Sequence, residues 1–260
     1  METQTTICER CQQAQREVCE AGFILVAEGQ PGQADTYARC KQWEAHIQAN
    51  RHAAGLSAAG LDDAKYSATW GELTLNHRSW LAARELAGKV DEVVRQGLNI
   101  VAMGPTGTGK TLAAVLICRA AMQAGYTALK LDWSRFLDGL RDGYSDRTQE
   151  PEGKKLDRVC AADILLLDDI AAGGDDNKFS TARLEKVIGR RYDAQKPTIL
   201  TANLQTNALH ELLGDRAASR IHGRVIELVF NGQRFREQTE RREVQDLVQS
   251  IWRGAQGGRA

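Results

Sequence analysis

Between Asn99 and Ala202 the chain alternates two kinds of pattern. Short apolar runs, Asn99–Met103 (NIVAM), Ala128–Leu131, Asp163–Leu167 and Thr198–Ala202, are each bounded by turn or polar residues and read as strands. Between and before them apolar residues recur every three or four positions, which predicts helices over Ser79–Gln96, Thr111–Gln123, Ser134–Arg141, Lys155–Ala161 and Thr181–Gln195. Strand–helix alternation predicts an α/β fold whose mostly parallel sheet is covered on both faces, so that its strands are apolar throughout. Ligands of such sheets bind beyond the carboxyl ends of the strands.

Outside this region the pattern weakens. Residues 1–51 are rich in Cys and Gln and read as a small N-terminal module. Residues 52–68 read as a linker, 69–253 as the main domain, and the tail 254–260 (GAQGGRA) as disordered. After Arg224 there remain VIELVF and one helical pattern, Gln233 to Trp252. Apolar residues make up 42% and charged residues 26%, ordinary for a globular protein, and 34 basic residues balance 34 acidic ones. Overall charge therefore selects no partner, although local charge could still serve nucleic acid. No run is long enough to span a bilayer, and METQTTICERCQQ lacks a signal peptide's apolar core, so a cytoplasmic protein with reduced thiols is expected.

The strand ends carry the candidate chemistry. GPTGTGKT, Gly104, Pro105, Thr106, Gly107, Thr108, Gly109, Lys110 and Thr111, follows the first strand and runs into a helix that starts near Lys110, with Leu112 the next residue expected at the nucleotide. It matches G-x-x-x-x-G-K-[ST], a loop whose backbone N–H groups and helix dipole cradle phosphates. Lys110 would reach the β- and γ-phosphates of ATP, and the Thr111 hydroxyl would ligate Mg²⁺. DILLLDDI places Asp168 and Asp169 at the end of what reads as the neighbouring strand: Asp168 as a magnesium ligand, Asp169 to polarise attacking water, with a helix N-cap pair as the alternative. Asn203 ends PTILTAN, where its amide could sense the γ-phosphate or merely end the strand. Arg216, Arg220 and Arg224 stand four apart, on one face if helical, either a solvated basic face or an arginine finger for a neighbouring subunit.

Two further groups are open at this stage. Trp133, Phe136 and Tyr144 interleave with Arg135, Arg141, Arg147, Lys154 and Lys155, a pattern suited to single-stranded DNA but also to a buried helix face. Cys8 and Cys11 (CERC) form a close pair that Cys19 and Cys40 could complete into a zinc site, with His46 or His52 as substitutes and separately buried thiols as the alternative. Cys118 and Cys160 fall on apolar helix faces and read as core.

Taken in order, GPTGTGKT, ILLLDDI, RRYDAQKPTILTANL, GDRAASRI and FNGQRFR resemble the AAA+ ATPases of the DnaC/DnaI helicase-loader and IstB-like family over about Trp70 to Arg236. The resemblance implies a P-loop NTPase fold, ATP and Mg²⁺ as cofactors, phosphate-loop roles for Lys110 and Thr111, Walker B roles for Asp168 and Asp169, a sensor role for Asn203 and the arginine finger at Arg220. It also implies ATP-bridged self-assembly, a replicative DnaB-like helicase bound through the N-terminal module, and single-stranded DNA as partners, with a transposition helper as the alternative. Asp169 stands where most AAA+ enzymes have Glu, which implies slow or partner-dependent hydrolysis. The C-terminal remainder is too short for a full helical lid, which leaves a reduced lid and Arg236 as the nearest second sensor.

Overall fold

The computed structural model describes residues 23–27, 36–39, 51–73, 77–145, 150–171, 177–204 and 206–231. The chain divides into two units at Ala58/Ala59. In the first, β1 (Phe23–Ala27) pairs antiparallel with β2 (Thr36–Arg39), Phe23 opposite Arg39, with an irregularity between Leu25 and Ala27; residues 51–58 are helical. The sequence reading placed no strand there. Cys8, Cys11, Cys19, Cys40, His46, Arg236, the Gln233–Trp252 helix and the tail lie outside the described residues, while His52 is exposed.

The second unit is built on β3 (Asn99–Met103), β4 (Ala128–Asp132), β5 (Ile164–Asp168), β6 (Thr198–Ala202) and β7 (Val225–Val229). All its pairings are parallel, in the order β4-β5-β6-β3-β7. Two helices precede the sheet, α1 (Arg78–Gly88) and α2 (Val90–Gln96); parallel strands need crossovers, and these are supplied by α3 (Lys110–Gln123), α4 (Trp133–Ser145), α5 (Glu152–Ala161), α6 (Asn177–Asp193) and α7 (Thr206–His222). The α/β expectation thus holds, with an all-parallel main sheet. The helix expected over Ser79–Gln96 is two helices that meet at Lys89. β7, left unassigned by its pattern, is a half-exposed edge strand with only Leu228 fully enclosed.

The three inner strands β5, β6 and β3 are buried along their whole length, and Ile164, Leu165, Leu166 and Leu167 have no exposed surface. Each such side chain contributes about 1.5–3 kcal/mol by leaving water. Cys118, wholly buried on α3, has its thiol pushed up to about 12 by desolvation, so it is core and inert. The chain before α1 also joins this unit: Lys130 N–H donates to Ala59 O, Leu61 is fully buried, and Arg119 of α3 donates to the carbonyls of Leu61 and Tyr66. Among the described residues no helix is long and apolar enough to cross a membrane.

Strand order carries one correction of consequence. The aspartate strand β5 is not next to the phosphate-loop strand β3, because β6 lies between them. Asn203 therefore ends the strand between the loop and the aspartates.

Candidate nucleotide site

Steric demands alone explain two of the loop glycines. Gly104 has φ +135° and a Cβ there would lie 2.0 Å from the Phe230 carbonyl oxygen. Gly109, at φ +93° and the N-cap of α3, would drive a Cβ to within 2.2 Å of the Trp80 ring. Both positions exclude any L side chain. Trp80 and Phe230 stand edge to face with centroids 5.6 Å apart, and Phe230 N–H donates to Met103 O, so α1 and the chain after β7 brace the loop from beneath. Nothing in the phosphate-loop motif points to these two aromatics; their signal lies only in being large apolar residues at element ends.

The loop closes on itself. Lys110 Nζ donates to the carbonyls of Gly104 and Pro105 at 2.7 and 2.8 Å, and the Thr108 hydroxyl donates to Pro105 O. Lys110 is buried while Pro105 and Thr106 are exposed, and Leu112 sits half-buried in the first turn of α3. The helix dipole and the Lys110 charge thus both face the hollow of the loop.

Three strand ends meet opposite it. Asp168, 8% exposed, accepts on one oxygen from the Thr111 hydroxyl (2.8 Å) and the Thr201 hydroxyl (2.7 Å). The other oxygen faces Lys130 Nζ at 3.4 Å. Thr201 Oγ1 also accepts from Asp169 N–H, and Ile170 N–H donates to the Thr201 carbonyl, tying the turn after β5 to β6. Asn203 Nδ2 donates to Thr106 Oγ1 at 2.8 Å, which ties the end of β6 to the loop. The loop is therefore tied by Asn203 to the end of β6, and along that chain, two residues earlier, Thr201 bonds both aspartate positions, with Thr111 closing the circuit back to the loop.

Asp169 has an exposed side chain and a left-handed backbone, φ +53°. Its turn is held by two bonds to Thr201, which permits a conformation that L residues seldom adopt. Desolvation first, then the negative charge of Asp168, raises its carboxyl above the ordinary value of 3.8, with Lys110 opposing. The Thr111 hydroxyl and Asp168 carboxylate form a hard-oxygen pair, the donor chemistry that magnesium takes.

Lys110, Thr111, Asp168, Asp169 and Asn203, named from the sequence, come together here. Thr201 and Lys130 were missed: a threonine in a β-branched run and a lysine in a short strand carry no signal until strand order is known. Arg220 does not join them. It is half-buried near the end of α7, its Nη1 2.5 Å from where a Gly189 Cβ would lie and its guanidinium 5.9 Å from the Tyr192 ring centroid. Those residues end α6, just before β6 begins, so Arg220 stands at the opposite end of the sheet from its own phosphate loop. Arg224 lies beyond α7, donating to Gln96 O, so the expected single helical face carries only Arg216 and Arg220.

In the aromatic–basic segment the buried-face alternative holds for Trp133. Trp133 has no exposed surface and donates from Nε1 to Ser180, with Phe136 packed beside it at 5.6 Å. No Trp133 face is open to stack on a base. Arg141 lies over the Phe179 ring and Lys155 donates to Gly139 O, while Arg135 and Lys154 are exposed. Arg147 and the Tyr144 side chain lie outside the described residues.

Comparison with known proteins gives the site a lineage. The family model for IstB-like ATP binding protein matches residues 48–242. The replicative helicase loader DnaC of Escherichia coli K12 is 23% identical over 146 residues, 56% of this chain and 59% of DnaC. The putative ATP-binding protein of insertion sequence IS1162 from Pseudomonas fluorescens is 32% identical over 114 residues, 44% of this chain and 47% of that protein. The chain thus spans about half to three-fifths of the length of these curated relatives. A crystal structure of the DnaC helicase loader superposes with TM-score 0.55 at 23% identity, covering 65% of this chain and 99% of that one, which shows the shared fold. The chain belongs to the IstB-like ATP binding proteins and shares the fold of the DnaC loader.

Proposed function

We propose that this chain is an ATPase, an ATP-switched helicase loader for DNA replication, in which the nucleotide site governs engagement with single-stranded DNA and residues 1–51 bind a DnaB-like replicative helicase. The observation that carries the switch is the bond from Asn203 to Thr106 at the end of β6, together with those that Thr201, two residues earlier in the chain, makes with Asp168 and Asp169. A γ-phosphate in the loop would compete with Thr106 for the Asn203 amide, and any movement of β6 is felt by both aspartates through Thr201.

In this reading Lys110 exchanges its two carbonyl partners for β- and γ-phosphate oxygens, contacts of similar geometry and greater charge. Thr111 and Asp168 would hold Mg²⁺, which would supply positive charge against the phosphates. Asp169 orients and polarises the attacking water; its exposure leaves it open to solvent, and its raised carboxyl makes it a somewhat better base than an ordinary aspartate. Arg220 serves a neighbouring subunit, because its place at the far end of the sheet keeps it from its own loop. That requires an ATP-bridged oligomer, and a slow enzyme until one forms.

The loader reading draws support from the DnaC relative and from the family model starting at residue 48, which leaves the N-terminal residues free to differ with the partner. A second reading, a transposition helper that binds DNA and recruits a transposase, is favoured by the higher identity to the IS1162 protein. Capture with the tagged full-length chain and ATP, offered a DnaB-type helicase and a transposase in parallel, separates them. Retention of the helicase alone supports the loader; retention of the transposase alone replaces it.

A further inference from the structure

Lys130 has no part in the function above, yet it is placed where a charge matters. β4 is an edge strand, from which a lysine ordinarily runs out to water. Here the ammonium turns inward, 3.4 Å from Asp168 Oδ2, with both side chains only 11% exposed. Register explains the reach. Asp132 pairs with Asp168, and Lys130 lies two residues earlier on the same face, so its four-carbon stem points along the sheet to the carboxylate. The Tyr66 ring lies under it, 5.4 Å from Nζ to the centroid, and the Tyr66 and Leu61 carbonyls are fixed by Arg119. The ammonium thus contacts both a carboxylate and an anchored aromatic face.

Asp168 is in turn fully engaged from the protein side. One oxygen accepts two hydroxyls and the other faces Lys130. A carboxylate this enclosed needs a countercharge when no metal is present. Magnesium, when it comes with the nucleotide, approaches the same carboxylate and meets the ammonium as a like charge.

We propose that Lys130 is a positioning residue that neutralises Asp168 in the nucleotide-free protein and competes with divalent metal for it, thereby setting the metal demand of the site. This rests on the reading that Asp168 and Thr111 hold the metal. Tyr66 offers the displaced ammonium a second contact, so exchange requires a shift of the lysine tip and no rearrangement of β4.

The test uses full-length protein without nucleotide and Mn²⁺ as the probe, free Mn²⁺ being counted by electron paramagnetic resonance. Lys130→Gln removes the competing charge and should bind Mn²⁺ at least about tenfold more tightly than wild type, with an upper limit of roughly a thousandfold set by the full repulsion of unit charges about 4 Å apart at an effective dielectric near 20. Lys130→Arg keeps the charge and should stay within about twofold of wild type. Lys130→Met keeps the stem and serves in place of Lys130→Gln if the latter does not fold. Melting followed by circular dichroism gives a second readout: the neutral variants should be destabilised without metal and regain more from Mn²⁺ than wild type does. If the folded neutral variants bind Mn²⁺ as wild type does while Asp168→Asn loses binding, the Lys130 proposal is overturned and the metal reading stands. If Asp168→Asn binds as wild type, both fall. Equal tightening by Lys130→Arg also overturns the proposal, since shape and not charge would then be responsible.

Discussion

The two ends of the parallel sheet hold their buried charges in opposite ways. At the amino end, Arg191 is 1% exposed, yet each of its five N–H groups has a partner: Thr198 Oγ1 and the carbonyls of Cys160, Ala162, Asp163 and Pro197. The four carbonyls belong to the end of α5 and to the turns that lead into β5 and β6, and none could leave without unfolding that backbone. Desolvation lowers the guanidinium to about 10, still protonated at neutral pH. At the carboxyl end Lys110, Asp168 and Asn203 are also paired, but with loop carbonyls, hydroxyls and another side chain, any of which a phosphate or a metal can replace. A buried charge on irreplaceable acceptors is structural. One on exchangeable partners is a binding site held ready.

The sharpest way to break this contrast is to remove charges from the carboxyl end. Lys110→Ala should abolish measurable ATP binding by a fluorescent analogue while leaving the melting temperature near wild type. Asp169→Asn should keep binding and lose turnover, since it removes only a water-orienting group. Equal loss of ATP affinity in both variants would show that the aspartate holds nucleotide and that the division of roles is wrong.

Arg220 extends the contrast across an interface. Arg220→Ala should leave ATP affinity per subunit nearly unchanged and lower hydrolysis by about a thousandfold, the scale of such fingers elsewhere. Mixed with Lys110→Ala subunits, which still offer Arg220, it should recover part of the activity. Failure to recover, with every species monomeric by light scattering in ATP and single-stranded DNA, would leave Arg220 as a residue packed on Gly189 and nothing more.

The amino end should respond in stability and not in chemistry. Arg191→Met removes the donor to Thr198 Oγ1 and to four carbonyls, of which Pro197 O still accepts from Leu165 N–H, and should cost on the order of 3–5 kcal/mol in urea unfolding. Arg191→Lys, with three donors for five acceptors, should also destabilise, though less. ATP affinity of the folded fraction should hold in both, and a large loss of affinity in Arg191→Lys would mean that the two ends are coupled through β5 and β6.

How far the sequence revealed these two ends follows from the same distinction. NIVAM and TILTA were legible to the residue because a strand buried on both faces is a continuous apolar run, and the phosphate loop because its glycines answer to local geometry. Arg191 was hidden inside RRYD, where it looks like any helix charge, since its five acceptors come from turns up to 31 residues away. The insertion of β6 between β3 and β5 is a long-range pairing that no local pattern encodes, and Thr201 and Lys130 acquire meaning only from it. VIELV escaped because an edge strand, half exposed, loses the unbroken apolar signature.

The smallest effect tests both ends of one strand at once. Asp163 immediately precedes β5 and Asp169 immediately follows it. At the amino end Asp163 accepts from Thr127 N–H and Oγ1 at 2.9 and 2.7 Å and lies 3.6 Å from Lys196, and these contacts, the Thr127 backbone bond first, hold it below the ordinary 3.8. At the carboxyl end desolvation and Asp168 hold Asp169 above 3.8. A lowered carboxyl stabilises the fold above its unfolded value and loses that contribution as pH falls through the folded value. A raised one does the reverse: its contribution is complete below the unfolded value and is lost as pH rises through the folded value. Asp163→Asn should therefore be less stable than wild type at pH 7 and converge with it in acid, while Asp169→Asn should be slightly more stable at pH 7 and converge likewise. Asp163 is half-buried and Asp169 exposed, so solvent screens both and each difference should stay below about 1 kcal/mol. Urea unfolding at several pH values between 3 and 7 reads both, and two differences of the same sign would mean that the ends of β5 do not hold their charges in opposite ways.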